Sequence, residues 1–342
     1  MSSVGMSSLR RGRAPRSGDQ RGAVDRRAFL ALGSGMIGVA VMPAWLRPRE
    51  RLVHRRVPVM GTVAELAVPA RSESVVRRAL NGAVAELHRV ESLMTRYRAD
   101  SDVGRFNAAV PGTWVAVDPE TGEVVRAALE WAETSRGVFD PTLERLTRLW
   151  DPALTHEPPE EDSIRAARVG GWRELEVGSG AGGARLLRAP GSALDLGGIA
   201  KGYGVDRAAQ ILRDHGVFRG LVNVGGDLMA LGDGPAGRPW RVGVRDPARP
   251  EDVVATLEVV DRGVATSGDY LRYFEHGGRR YHHVLNAETR APTRADLRSV
   301  TSTARSVMSA DAAATWAFAQ GHDGLTERLR ARDDDVRFEH II

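Results

Sequence analysis

One residue stands out by its rarity. The 342-residue chain holds 48 lysines and arginines, and Lys201 is the one lysine among them. It lies in Leu194-Asp195-Leu196-Gly197-Gly198-Ile199-Ala200-Lys201-Gly202-Tyr203-Gly204. An apolar run broken by glycines, then Val205, Ala208, Ala209 and Leu212 at helical spacing, reads as a strand turning into a helix that Gly216 closes. A helix N-terminus offers unpaired amides, which suit an anion, typically phosphate. An ammonium is a compact charge on a thin stem, whereas a guanidinium is a wide planar fork. A lysine kept in an otherwise arginine-only chain therefore points to a narrow slot; the other reading is accident, since a lone lysine has to fall somewhere. The stretch is not a P-loop: GxxxxGK[ST] is unmatched, and Gly202 follows the lysine.

Asp311 and Thr315 are four residues apart in a predicted helix, so their oxygens share a side. Hard oxygen donors suit Mg²⁺, which takes few protein ligands and completes its shell with water and phosphate. Helix chemistry alone offers another account, with Asp favouring the dipole and Thr bonding back to a carbonyl. Asn223-Val224-Gly225-Gly226-Asp227 interrupts a strand with paired glycines, either for close approach to a ligand or for a turn. His282 and His283 alternate across a strand. One is expected to face solvent; the other is open to service as a base, a metal ligand or a packed ring. No Ser-His-Asp set and no zinc spacing occurs. A phosphate-bearing ligand held by a glycine-rich turn, a lysine and Mg²⁺ is the chemistry these residues support.

The elements that must position them are expected in this order. A strand over Val57–Val68 contains Met60-Gly61-Thr62. A helix follows from a Ser72 cap to about Tyr97, with Val76, Ala79, Leu80, Ala83, Leu87, Val90 and Met94 on one face. A polar loop covers Asp100–Asn107, a strand Thr113–Val117, and a helix Glu120–Arg136 stopped by Gly137. Asp140 is expected to cap a further helix with Pro141 in its first turn. Residues 151–163, rich in Pro and acid, read as a solvated loop, and Gly178–Gly183 as a hairpin tip. Strands are expected over Leu221–Leu231, Trp240–Val244, Ala255–Val260, Arg279–Leu285 and Ser299–Ala304. A last helix, Ala310–Gln320, is capped by Ser309 and closed by Gly321. The fold class is α+β, helices packed on mixed, largely antiparallel sheets.

A net charge of +4 misleads about partners. Residues 1–56 hold 12 arginines against Asp19, Asp25 and Glu50, so the remainder has 36 basic against 41 acidic residues. That excludes a nucleic-acid-binding surface. Arg26-Arg27 before Ala28-Phe29-Leu30, with an uncharged stretch to about Trp45, reads as a twin-arginine (Tat) export signal over 1–46, followed by a linker over 47–56. A Sec signal or an uncleaved anchor is the alternative. The mature protein is expected on the extracytoplasmic side, with membrane contact only through such an anchor. The absence of cysteine excludes disulfides and a lipidated cysteine.

From about Val57 to Gln320 the chain resembles the ApbE family, the FAD:protein FMN transferases. The resemblance rests on motifs in family order: Met60-Gly61-Thr62, Thr95-Arg96-Tyr97, Gly137 to Thr142, Asp195 to Tyr203, Asn223 to Asp227, Ala265-Thr266-Ser267-Gly268-Asp269-Tyr270, His283-Val284-Leu285, and Asp311 to Thr315. It implies an ApbE-like α/β roll over 57–342. It also implies that Met60, Tyr97, Phe139, Asp140, Asp195, Lys201 and Leu285 line an FAD site. Mg²⁺ would be held by the Gly198 carbonyl and the side chains of Asp311 and Thr315, with Lys201 neutralising charge on the pyrophosphate and His283 as the base. The implied reaction moves FMN from FAD to a Thr or Ser hydroxyl of a client with an FMN-binding domain, releasing AMP. One departure is Leu285-Asn286-Ala287-Glu288-Thr289-Arg290, where the family usually has Ile-Asp-Pro-x-Thr-Gly. The change is expected to alter charge and turn geometry beside the site. Two other readings keep the same site: an exported FAD pyrophosphatase, and a non-catalytic flavin carrier.

Overall fold

The computed structural model describes residues 51–342 apart from 71, 181–182, 250, 271, 294–296 and 322–334. The export signal expected over 1–46 and the start of the expected linker lie outside the described residues. Residues 51–56, expected to end that linker, form the first part of β1 (Arg51–Val59). β1 turns back at Met60-Gly61 into β2 (Thr62–Ala70), so the single strand expected over Val57–Val68 is a hairpin. Both turn residues have positive φ, 51° and 69°, the two-residue turn whose twist suits paired strands. Apolar residues run straight through this turn, and Gly61 alone marks it.

α1 (Glu73–Met94) buries all seven residues expected on its inner face. Fully burying one of its leucines is worth about 1.5–3 kcal/mol. The polar loop expected over Asp100–Asn107 is largely a helix, α2 (Asp102–Ala108). Ser101 caps it by accepting the Gly104 amide at 2.8 Å. Buried Asp102 ties it forward by accepting the Asp118 amide at 2.8 Å and the Thr121 hydroxyl at 2.6 Å. Those tertiary partners satisfy its polar groups, while Val103 and Phe106, three residues apart, are fully buried in the core. β3 (Trp114–Val117) and α3 (Pro119–Thr134, capped by Asp118) follow close to expectation. α4 (Glu144–Leu149) starts after Leu143, not at Asp140. The 151–163 loop gives way to α5 (Glu161–Ala166), and its first residue, Asp151, is buried rather than solvated. β4 (Glu176–Gly180) and β5 (Gly183–Leu187) form the expected hairpin.

No strand precedes the organising helix. The segment 194–198 is irregular, and Asn107 holds the Leu194 backbone with two hydrogen bonds of 2.9 and 2.6 Å. α6 (Ala200–Asp214) follows. β6 (Gly220–Val224) and β7 (Asp227–Leu231) divide the strand expected over Leu221–Leu231, with Gly225-Gly226 as the turn between them. Then come β8 (Trp240–Arg245), β9 (Val253–Val259), β10 (Arg262–Gly268), β11 (Tyr273–His276) and β12 (Arg279–His282). β13 (Leu285–Asn286) and β14 (Ala291–Pro292) are short, so the strand expected over Arg279–Leu285 breaks at His283-Val284. β15 (Ser299–Ala304) leads to α7 (Val307–Gln320), and β16 (Arg337–Ile341) comes last. α7 begins three residues earlier than expected because Ser306, not Ser309, is the cap: its hydroxyl accepts the Ser309 amide at 3.1 Å.

The main sheet runs β1-β2-β6-β7-β10-β15-β16, every pair antiparallel. α1 and α6 cover one face, where Leu66 and Val222 of the sheet meet Leu80, Leu87, Val205 and Leu212. The β8–β9 ribbon covers the other through Trp240 and Val242 against Leu221 and Leu228. A three-stranded sheet, β3-β5-β4, shares a second core with α3 and α7, where the Trp131 and Trp316 rings lie 6.0 Å apart. This is the α+β architecture expected. Among the described residues no helix is long and apolar enough to cross a membrane.

Candidate active site

Two helices build the centre of the site by capping one another. α6 and α7 cross where Gly202 meets Val307, and any side chain on Gly202 would overlap the Val307 carbonyl. From α6, Asp206 accepts the Val307 and Met308 amides of the first turn of α7 at 2.8 and 2.9 Å. From α7, Asp311 accepts the Gly202 amide in the first turn of α6 at 3.0 Å. The helix N-terminus expected to receive a phosphate thus has one amide already filled by a carboxylate of this chain.

Lys201 lies against the same carboxylate. Its Nζ donates to Asp227 Oδ2 at 2.5 Å and lies 3.2 and 3.1 Å from the two oxygens of Asp311. Burial acts to lower the lysine's pKa, but the charges of Asp227 and Asp311 outweigh it and the net displacement is upward. Burial, reinforced by the Asp311 charge, pushes Asp227 upward against the pull of Lys201. With both acids ionised, two nearly buried carboxylates surround one ammonium and a negative charge is in excess.

Thr315 stands one turn beyond Asp311, against Gly198. A Cβ on Gly198 would lie 3.2 Å from both Thr315 Oγ1 and Phe139 Cε2. Ser267 Oγ is 3.4 Å from the same threonine oxygen. The amide placed to close a helical turn on the Gly198 carbonyl is that of Gly202, and it donates to Asp311 instead. Gly198 and Thr315 are therefore brought together, with Asp311 one turn away on the threonine's helix, as oxygen donors of the kind Mg²⁺ prefers. Among the described residues no group of three or more His, Cys, Asp or Glu is placed to hold a metal ion. A single carboxylate with hydroxyl and carbonyl oxygens fits a magnesium site that substrate and water complete.

A second cluster is built on Asp151, whose side chain is 1% exposed. It accepts from Arg96 at 2.6 Å and from the Tyr97 hydroxyl at 2.9 Å, and Arg272 lies 3.4 Å away. Arg96 stacks 4.4 Å over the Tyr97 ring and approaches Asp195 at 3.5 Å. Asp195 also accepts the Gly197 amide at 2.8 Å, linking this cluster to the glycine turn.

The two histidines separate by role. His282 is the packed one: Nε2 donates to the Thr293 carbonyl at 3.0 Å and Nδ1 accepts the Val284 amide at 3.3 Å. His283 is half-buried, and its Nδ1 donates to the Arg272 carbonyl at 3.3 Å. A carbonyl can only accept, so the proton is on Nδ1 and the Nε2 lone pair is left to act. Burial, with Arg272 adding to it, pushes the His283 pKa down to about 3. The expectation that one histidine faces solvent therefore holds only in part.

Of the remaining expected residues, Asp140 organises a loop. It accepts the Thr142 amide and hydroxyl at 2.8 and 2.5 Å and the Gly170 amide at 2.7 Å. Met60 packs against Gly204, and Leu285 against the core of Leu143, Trp150 and Phe274. Phe139, Gly198, Lys201, Asp311 and Thr315 thus meet in one cluster, and Tyr97 and Asp195 in the other. His283 is joined to that second cluster through Arg272.

A profile of the ApbE family matches residues 60–338. The chain belongs to the ApbE family. It is 33% identical over 300 residues to the FAD:protein FMN transferase of Treponema pallidum, covering 83% of each chain. It is 31% identical over 283 residues to that of Vibrio cholerae, covering 81% of this chain and 84% of the relative. Among solved structures it resembles an ApbE protein of Thermotoga maritima (TM-score 0.73, 33% identity, 80% of this chain and 88% of that one). It also resembles the flavinyl transferase ApbE of Pseudomonas stutzeri (TM-score 0.72, 30% identity, 84% and 91%).

Within this ApbE chain the departure at 286–290 forms a closed turn. Asn286 Oδ1 accepts the Glu288 and Thr289 amides at 2.9 and 3.0 Å, and the Arg290 amide returns to the Asn286 carbonyl at 2.9 Å. Arg290 takes a φ of 55° where the family pattern has glycine. Asp227, Arg96, Asp151, Arg272 and Ser267 were not singled out from the sequence as site residues. All but Asp151 and Arg272 lie inside motifs that carried the family resemblance, which was the available signal.

Proposed function

We propose that this chain transfers FMN from FAD to a Thr or Ser hydroxyl of a client flavoprotein, releasing AMP, and that the transfer depends on Mg²⁺. The observation that carries the reading is the gathering of two carboxylates, Asp227 and Asp311, around Lys201, with Gly198 packed against Thr315 one turn along the Asp311 helix. Gly198, Asp311 and Thr315 would hold the ion, which would supply charge neutralisation at the FAD pyrophosphate. His283, neutral and carrying its proton on Nδ1, takes the client's hydroxyl proton at Nε2. The client oxygen then bonds to the FMN phosphorus as the bond to the AMP oxygen breaks, and Lys201 stabilises charge on the departing phosphate. Phe139, Tyr97 and Asp195 would line the flavin nucleotide.

Incubating the protein with FAD, MgCl₂ and a purified FMN-binding domain tests this. Covalent flavin on the acceptor supports the reading; free FMN and AMP alone would mean a pyrophosphatase, and unchanged bound FAD a carrier. For the metal, Asp311→Ala should lower Mg²⁺-dependent turnover by about a hundredfold or more while far-UV circular dichroism stays unchanged. Activity within a fewfold of wild type would remove Asp311 from the metal site. The Arg26-Arg27 pair ahead of an uncharged stretch supports an extracytoplasmic location for the enzyme, reached after folding.

A further inference from the structure

Asp227 is one carboxylate more than the magnesium site needs. It opens β7 just past the Gly225-Gly226 turn, with its side chain 4% exposed. Besides the Lys201 ammonium at 2.5 Å it accepts the Thr266 amide from β10, which fixes its position. The same ammonium and the Gly202 amide crowd Asp311, at 3.1 and 3.0 Å from Oδ2. A metal ion at Asp311 needs lone pairs that now point at an ammonium, and two cations on one carboxylate repel each other.

We propose that Lys201 is the resident cation of the metal-free site and that Asp227 is its positioning residue. When a divalent cation takes Asp311, the ammonium releases Asp311, stays on Asp227 and turns its freed N–H toward the substrate phosphate. This rests on the reading of Asp311 as a metal ligand.

Three features favour such an exchange. The contact to Asp227 is already the shorter one, 2.5 Å against 3.1 and 3.2 Å. The lysine side chain is 31% exposed while both carboxylates are 4% exposed, so of the three side chains the lysine is the one that solvent reaches. An ammonium also rotates its three donors on a flexible stem, which a planar guanidinium cannot do. That last point gives a physical reason for a single lysine in a chain of 47 arginines.

The lone lysine makes the test direct. Full-length protein grown on ¹⁵N-lysine and stripped of FAD carries one labelled side-chain ammonium, which can be followed by NMR while MgCl₂ is added and binding is measured by calorimetry. In the wild type the signal should move saturably, with the calorimetric Kd. Lys201→Met should bind Mg²⁺ at least about tenfold more tightly, because the internal competitor is gone. Asp227→Asn should bind it at least about tenfold more weakly and lose the ammonium signal to water exchange once Mg²⁺ is bound. A lysine signal that stays still at calorimetric saturation, or a Lys201→Met Kd no tighter than wild type, overturns the exchange and leaves the metal site standing. No Mg²⁺ binding in either the wild type or Lys201→Met overturns both.

Discussion

What single residues can do here is decided by which atom each hydrogen bond leaves free. The Arg272 carbonyl occupies Nδ1–H of His283 and leaves Nε2 as the acceptor. With its pKa pushed down to about 3, the ring stays neutral across the working range. The pH profile of kcat/KM for the free enzyme should therefore show no acidic limb from His283 between about pH 5 and 8. A limb near 6.5 that vanishes in His283→Gln would show an ordinary imidazole instead. Stability follows with a definite sign. Below about pH 6.5 the unfolded chain takes up a proton that the folded ring refuses, so the fold should lose stability as pH falls toward 3. His283→Gln should flatten that part of an acid-denaturation curve. Lys201 permits a comparison of size against charge. Its single nitrogen reaches Asp227 at 2.5 Å and Asp311 at 3.1 Å, a bridge that a wide planar guanidinium does not reproduce, so Lys201→Arg should be nearly as damaging as Lys201→Ala, about 10- to 150-fold in turnover. Turnover near wild type in the arginine variant would refute the narrow slot.

Elements were legible where a repeat in sequence coincides with a repeat in space. The α1 stripe fell where expected because its partners form one continuous face of the main sheet. Asp311 and Thr315 could be paired in advance because four residues bring a helix round to the same side. Turns hidden inside apolar runs were not legible: Met60-Gly61 and Gly225-Gly226 each fold an expected single strand into two. Nor was α2, whose polar residues are satisfied by Asp118 and Thr121 from the next helix. The start of α7 was misplaced because its caps come from Ser306 and from Asp206 on another helix. Asp206 offers the element-scale test. Asp206→Ala strips the Val307 and Met308 amides of their acceptor, which should cost about 1–2 kcal/mol of stability. Calorimetry should show the Tm lower by about 2–4 °C per kcal/mol; an unchanged Tm would mean that water caps α7 equally well.

Over the whole molecule, the site gathers residues that no local pattern connects. Arg96 and Asp151 are 55 positions apart, Asp151 and Arg272 are 121, and Lys201 and Asp311 are 110. Arg96, Lys201, Asp227 and Asp311 lie inside family motifs, whereas Asp151 and Arg272 lie outside them and are joined to the site only by the fold. The charge asymmetry between the N-terminal segment and the remainder leads to the last prediction. Arg26→Lys with Arg27→Lys should leave the protein in the cytoplasm, as cell fractionation would show; normal export of the double variant would point to another route. The mutual capping of α6 and α7 also has a consequence for how the protein is made. A nascent chain emerging N-terminus first presents Lys201 and Asp227 long before Asp311 leaves the ribosome. Until α7 docks, neither Lys201 nor the Gly202 amide has Asp311 beside it, so the cluster around the lone lysine is among the last parts of the molecule to be completed.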